Sequence, residues 1–270
     1  MYNIIKRGMI LTKSHATLMI RRAELDRNYI IDVLSDIRYE GVKNIIDIGC
    51  GPGSCWQMMM EHNQNGSIYA IDISPEQIQM ASELALNHSV IVSCADYTEI
   101  PFDDDMFDCV FIRTFFDSMP YKTQLDMTDI VRTSKNKARI GIICNKNIMP
   151  QLTKNPRHYD LLVRTYKAMC ANIGNTYLKV YCELSRCGVE NIVVKPIWKD
   201  IERPGREALV EYYINDIDLS KDAFCRVGVI TEKELLEYIT DLQSIISDPK
   251  EYVMFEQVIL TGTINKGVNL

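Results

Sequence analysis

The stretch with the most chemistry to offer is Asp47-Ile48-Gly49-Cys50-Gly51-Pro52-Gly53-Ser54, a glycine-rich bend directly after the apolar run 44–48. Glycines at a strand-to-helix turn let the backbone bend sharply and approach a ligand with no Cβ in the way. A dinucleotide fingerprint would need a third glycine at Ser54, so the spacing alone leaves the ligand open. Carboxylates narrow the choice. Asp47 precedes the bend, and Asp96 follows a later apolar run in Cys94-Ala95-Asp96-Tyr97. Asp72 ends the run in between, about 20 residues past the bend, the spacing at which a carboxylate accepts from ribose hydroxyls. The bend holds no Lys or Arg, so a pyrophosphate would meet carboxylates and little compensating charge. A phosphate-free nucleoside carrying a cationic centre fits far better.

These residues need a parallel sheet to bring them together. Apolar runs at 44–48, 67–71, 90–93, 108–112 and 138–144 alternate with helical patterns, the signature of βαβ units. The carboxylates then lie at the carboxyl ends of adjacent strands, where open α/β sheets bind ligands. The helix after the second run has a start signal, with Ser74 as N-cap, Pro75 in the first turn and Gln77 completing a capping box. Leu25, Tyr29, Val33 and Ile37 recur every four residues and predict an amphipathic helix on the sheet's edge. The expected organisation is one α/β domain over 1–270. It has a helical cap at 1–40, a ligand-binding core at 41–149, helical lid segments at 150–186 and 199–247, and closing strands at 188–198 and 252–264.

Three stretches, NIIDIGCGPGS, IYAIDIS and CADYTEIPFDDDMFDCVF, together resemble the glycine motif, the acidic second-strand motif and the third-to-fourth-strand segment of class I S-adenosylmethionine-dependent methyltransferases. The C-terminal half is similar, more loosely, to the small-molecule branch related to ubiquinone and sterol methyltransferases, through LSRCGVENIVVKPI and EYVMFEQVILTGTI. The resemblance implies a Rossmann-like seven-stranded sheet in the order 3-2-1-4-5-7-6 with its last strand antiparallel, beneath the helical cap read from the pattern. It implies S-adenosylmethionine as cofactor. It also assigns roles: Gly49, Cys50 and Gly51 around the methionine moiety, Asp47 supporting the bend or the ammonium, and Asp72 on the ribose. Ile73 and Gln77 border the adenine, Asp96 accepts from its amine with the Tyr97 backbone nearby, and Arg113 runs along the amino-acid end. The family's Leu-Lys-Pro-Gly-Gly-like turn before the fifth strand is replaced here by Thr133-Ser134-Lys135-Asn136-Lys137, which touches turn geometry and not the cofactor site.

Methyl transfer from a sulfonium is an in-line displacement, so the chief task is to hold an acceptor near the methyl carbon, about 3 Å away, with water excluded. A base is needed only when the acceptor starts protonated. Asp117 and His158 are the candidates; Phe115 and Phe116 at the fourth-strand exit suit an apolar or aromatic acceptor. Tyr159, Tyr166, Tyr177 and Tyr181 suit a lid. The alternatives are a protein or nucleic-acid methyltransferase and a non-catalytic S-adenosylmethionine-binding module.

Composition bounds the partners. Thirty Lys and Arg against 36 Asp and Glu leave a charge of −6, which argues against a nucleic-acid partner gripped through phosphates. Hydrophobic residues at 47% and charged residues at 24% are those of an ordinary globular chain. No apolar run approaches the roughly 18 residues of a membrane span, and Lys6, Arg7, Lys13, Arg21 and Arg22 interrupt any secretory signal. Nine cysteines without a CxxC pair indicate free thiols, a cytoplasmic setting and no metal centre. Asp103-Asp104-Asp105 reads as a solvated turn, Met58-Met59-Met60 as core, His62 and His88 as structural, and His15 as a cap residue.

Overall fold

In the computed structural model the described residues are 13–37, 42–62, 66–85, 90–119, 124–146, 151–169, 176–200, 206–248, 250–251 and 253–267. The strands are β1 Asn44–Ile48, β2 Ser67–Asp72, β3 Val90–Cys94, β4 Phe107–Arg113, β5 Ser134–Asn145, β6 Gln151–Leu152, β7 Val189–Asp200 and β8 Val253–Ile264. They form one sheet in the order β3-β2-β1-β4-β5-β8, with β7 on the far side of β8 and the two-residue β6 also against β8. With β6 set aside, this is the expected 3-2-1-4-5-7-6, and β8 is the reversed strand, antiparallel to both β5 and β7. β1 and β4 are buried almost throughout, as strands covered on both faces must be.

The helices on one face are α2 Arg27–Ile37, α3 Trp56–His62 and α4 Pro75–Ala85; α5 Thr128–Thr133 and α7 Thr176–Arg186 lie on the other. The predicted position of α2 is corrected. It lies on the face of the sheet, not on its edge: a Cβ on Gly141 of β5 would stand 2.6 Å from Val33 and 2.9 Å from Ile37. Four buried positions, Ile30, Val33, Leu34 and Ile37, make a stripe too broad for a strand edge to cover. Gly141 is what lets helix and strand approach. Gly141→Val should therefore destabilise the fold by about 1–3 kcal/mol through overpacking, read as a lower urea midpoint at unchanged slope.

The departure before the fifth strand is also resolved. Thr133 closes α5, while Ser134 opens β5 opposite Phe107; a register shift follows, and Lys137 takes a φ of 70°. A bulged strand start replaces the turn.

The cap consists of α1 Lys13–Leu25, α6 Tyr159–Met169, α8 Arg206–Leu219, α9 Lys221–Arg226 and α10 Glu232–Ser247, joined through Leu18, Leu162, Ile217, Tyr238 and Leu242. Thr231 and Glu234 close a reciprocal capping box at the start of α10. Tyr166 packs on Phe224, whereas Tyr181 is exposed. The helical expectation for 199–200 is corrected, because β7 continues through Asp200.

Among the described residues no helix is long and apolar enough to cross a membrane, and no cluster of His, Cys, Asp and Glu could hold a metal. Asp104 pairs with Arg132 and Asp105 with Lys266, as a surface turn does. Met58 and Met59 are wholly buried, and His62 Nδ1 lies 3.1 Å from the Met58 carbonyl. The cysteines described are free thiols. Cys170, His88 and the His15 side chain lie outside the described residues.

Candidate active site

The bend after β1 is built by three glycines with positive φ, 69° at Gly49, 54° at Gly51 and 83° at Gly53. L-residues adopt this region at a cost of about 1–2 kcal/mol. The amides of Gly49 and Cys50 both donate to the Ile71 carbonyl, at 2.9 and 3.0 Å, which ties the bend to β2. Gly51 N–H donates to Asp72 Oδ2 at 3.0 Å, and Ser74 N–H donates to Asp72 Oδ1 at 2.9 Å. One carboxylate thus fixes both the bend and the start of α4, with acceptor capacity left on each oxygen.

Asp47 is buried beneath the bend and accepts from Trp56 Nε1 at 3.1 Å. Burial pushes its carboxyl up to about 7, against the pull of the Trp56 hydrogen bond and with a further push from Asp72. Burial raises Asp72 as well, while its backbone hydrogen bonds hold it down.

The capping box at α4 is only half made. Gln77 N–H does donate to Ser74 Oγ at 3.3 Å, but Asp72 takes the Ser74 amide that the Gln77 side chain was expected to serve. The side chain turns inward instead. Gln77 is 2% exposed, neither amide atom has a partner, and Oε1 lies 3.6 Å from where a Gly51 Cβ would stand. A buried amide without partners costs about 1–3 kcal/mol, so this one marks a place where a polar ligand atom would be stabilised.

At the exit of β4, Arg113 Nη2 donates to Asp26 Oδ2 at 2.7 Å, while its Nε is buried without a partner. Thr114 has a φ of 53°, a sparsely populated conformation for a β-branched residue. Phe115 covers Gly49; Phe116 belongs to the core. Tyr97 packs edge-on to both rings, with centroids at 5.3 and 5.9 Å. Asp96 is half-buried and accepts from the Thr98 amide and hydroxyl at 3.0 and 2.9 Å, and Ile73 is exposed.

The base candidates are not brought together. Asp117 is buried and accepts from the Asn145 amide at 2.8 Å; burial pushes its carboxyl up to about 6, opposed by that hydrogen bond and by Arg22. His158, at a φ of 61°, places Nε2 2.9 Å from Glu237 Oε2 on α10. Among the described residues no hydrogen bond or ion pair joins it to Asp117.

Sequence reasoning missed Asp26, Met19, Asn145 and Gln257. Asn145 Oδ1 accepts from Arg22 Nη2 at 3.0 Å and from Gln257 Nε2 at 3.1 Å, and Gln257 Oε1 is buried without a partner. The available signal was a polar residue at the carboxyl end of the fifth strand.

Residues 45–137 match the family described as a methyltransferase domain. They lie within a sheet that has the strand order of the class I methyltransferase fold. The chain is 29% identical over 113 residues to tocopherol O-methyltransferase of Arabidopsis thaliana, and 31% identical over 86 residues to release factor glutamine methyltransferase of Dictyoglomus turgidum. These alignments take in 40% and 32% of this chain but only 32% and 27% of the relatives, so the chain spans about a third of their length or less. The methyltransferase fold extends further. A Haemonchus contortus phosphoethanolamine N-methyltransferase 2 solved with S-adenosyl-L-methionine superposes with a TM-score of 0.62 at 15% identity, over 98% of this chain and 60% of that one. The [4+2]-cyclase SpnF superposes at 0.57 with 18% identity, over 88% and 81%.

Proposed function

We propose that the chain binds S-adenosylmethionine at the Gly49–Gly53 bend and transfers its methyl group to a small-molecule acceptor by in-line displacement. One observation carries the reading: Asp72, at the end of β2, holds the Gly51 amide beside the buried, unpartnered amide of Gln77. The donor set fits the cofactor. Carboxylates surround the bend and suit a sulfonium, and Arg113 Nε is a free donor for a carboxylate. When bound, the cofactor supplies an electrophilic methyl group on a positively charged sulfur.

In this reading Gly49, Cys50 and Gly51 wrap the amino-acid end and Arg113 takes its carboxylate. Asp72 takes the ribose hydroxyls, Ile73 and Gln77 border the base, and Asp96 accepts from its amine beside Tyr97. Asp47 acts from beneath, through Trp56 and through its charge. Phe115 and α1 exclude water. For an acceptor that must lose a proton, Asp117 is the favoured base: with a pKa of about 6 it is a carboxylate at neutral pH. His158 has that role only by leaving Glu237. The net charge of −6 supports a small acceptor over a nucleic acid, and free cysteines suit the cytoplasm. A binding module without methyl transfer is the second reading, favoured by the shared fold of a protein described as a [4+2]-cyclase.

Calorimetric titration is the test. S-adenosylmethionine should bind and NADH should not. Asp72→Ala, which removes an acceptor from charge-assisted hydrogen bonds of about 1.5–3 kcal/mol, should weaken the cofactor at least tenfold. Unchanged affinity would remove the ribose assignment. Labelled methyl transfer into a metabolite extract then separates the two readings, since binding without turnover favours the second.

A further inference from the structure

We infer that Asp26 is a positioning residue that latches α1 over the cofactor bend, making α1 a hinged lid. The inference rests on the cofactor reading above and adds how the site opens.

Cys50, Gly51, Pro52, Gly53 and Gln77 are all buried. Part of the cover is α1, because Met19 Sδ lies 3.7 Å from where a Gly51 Cβ would stand. α1 packs on α4 at one side and on α8 of the cap at the other. Its neighbour α2 is anchored to the sheet through Val33 and Ile37 against Gly141. Asp26 is the joint between the two helices: its amide donates back to Arg22 and Ala23 carbonyls, and its carbonyl accepts from the Tyr29 and Ile30 amides.

The same residue is the clasp. Asp26 is 2% exposed, and its carboxylate meets Arg113 Nη2 at 2.7 Å, at the carboxyl end of β4. One turn earlier, Arg22 reaches Asn145 at the end of β5. Asp26 and Arg22 therefore both hold the end of α1 down on the carboxyl ends of β4 and β5. A buried ion pair suits a two-position part. Its attraction is offset by the penalty of desolvating both charges, and opening returns both to water. Holding Arg113 by one arm also orients the guanidinium so that Nε stays free for the cofactor carboxylate.

Stopped-flow mixing of the full chain with S-adenosylhomocysteine tests this, with Trp56, which is bonded to Asp47 under the bend, as the fluorescent reporter. Wild type should show a rate that saturates with ligand concentration, set by lid opening. Asp26→Asn should raise the saturating rate and the dissociation rate about tenfold, and speed amide exchange in 13–25. Arg22→Ala should move both in the same direction by less, and it decides the matter if Asp26→Asn does not fold. Binding rates and exchange unchanged in both variants would overturn the latch. If wild type fails to bind S-adenosylhomocysteine, the cofactor reading falls. The exchange of 13–25 in the ligand-free variants then still decides whether Asp26 holds the helix.

Discussion

Gly51→Ala should cost the fold little and abolish cofactor binding, whereas Gly49→Ala should cost both heavily. The two glycines share a positive φ, so each alanine pays about 1–2 kcal/mol for the backbone conformation. Their surroundings differ. A Cβ on Gly49 would overlap the Phe115 ring, coming within 2.7 Å of Cγ, and Phe115 is itself wedged against Tyr97 and Phe116. Overpacking of that kind adds about 1–3 kcal/mol, so Gly49→Ala should lose roughly 2–5 kcal/mol of stability. A Cβ on Gly51 meets only ordinary contacts at 3.6–3.8 Å with Gln77 and Met19. It would fill the space beside Gln77 that the ligand needs, so affinity for S-adenosylhomocysteine should fall at least a hundredfold while stability falls only by the backbone cost of about 1–2 kcal/mol. Urea denaturation and calorimetry on the same samples separate the two effects. Normal affinity in Gly51→Ala would place the ligand elsewhere.

Asp47→Asn should stabilise the protein at alkaline pH while weakening S-adenosylmethionine more than S-adenosylhomocysteine. Burial raises the folded-state carboxyl of Asp47 to about 7 from 3.8. The folded state therefore binds a proton that the unfolded chain releases. The resulting stabilisation is complete below about pH 4 and is lost as pH rises through about 7. A displacement of roughly three pH units corresponds to a few kcal/mol. Asp117, raised to about 6, contributes with the same sign. Asparagine keeps an oxygen for Trp56 Nε1 and carries no charge, so the variant and wild type should be equally stable near pH 4. By pH 8 the variant should be ahead by a few kcal/mol. The lost negative charge should be felt by the sulfonium and hardly by the neutral thioether. Parallel pH–stability curves for the two proteins would refute the buried-carboxylate account.

The strands and the bend were readable because their signals are local: an apolar run, a glycine at each positive φ of the bend, a carboxylate where a strand ends. The placement of α2 was not, since a repeat of four tells which face of a helix is apolar and not what the face meets. Gln77 shows a different limit. Its spacing from Ser74 satisfied the capping pattern, but Asp72, two residues before Ser74, reached the same amide first. Asp26 had no local signature at all. An acidic residue among helical neighbours looks solvated until Arg113, 87 positions away, is brought beside it.

The close approach at Gly141 has one further consequence. The stretch that matches the family ends at residue 137, only a few residues into β5. It contains neither α2, which shields Cys109 and Gly141, nor β8, which completes the ladder along β5. The family match and mechanical self-sufficiency therefore have different borders in this chain: excised at 45 and 137, the heartland would face water with its innermost hydrocarbon bare.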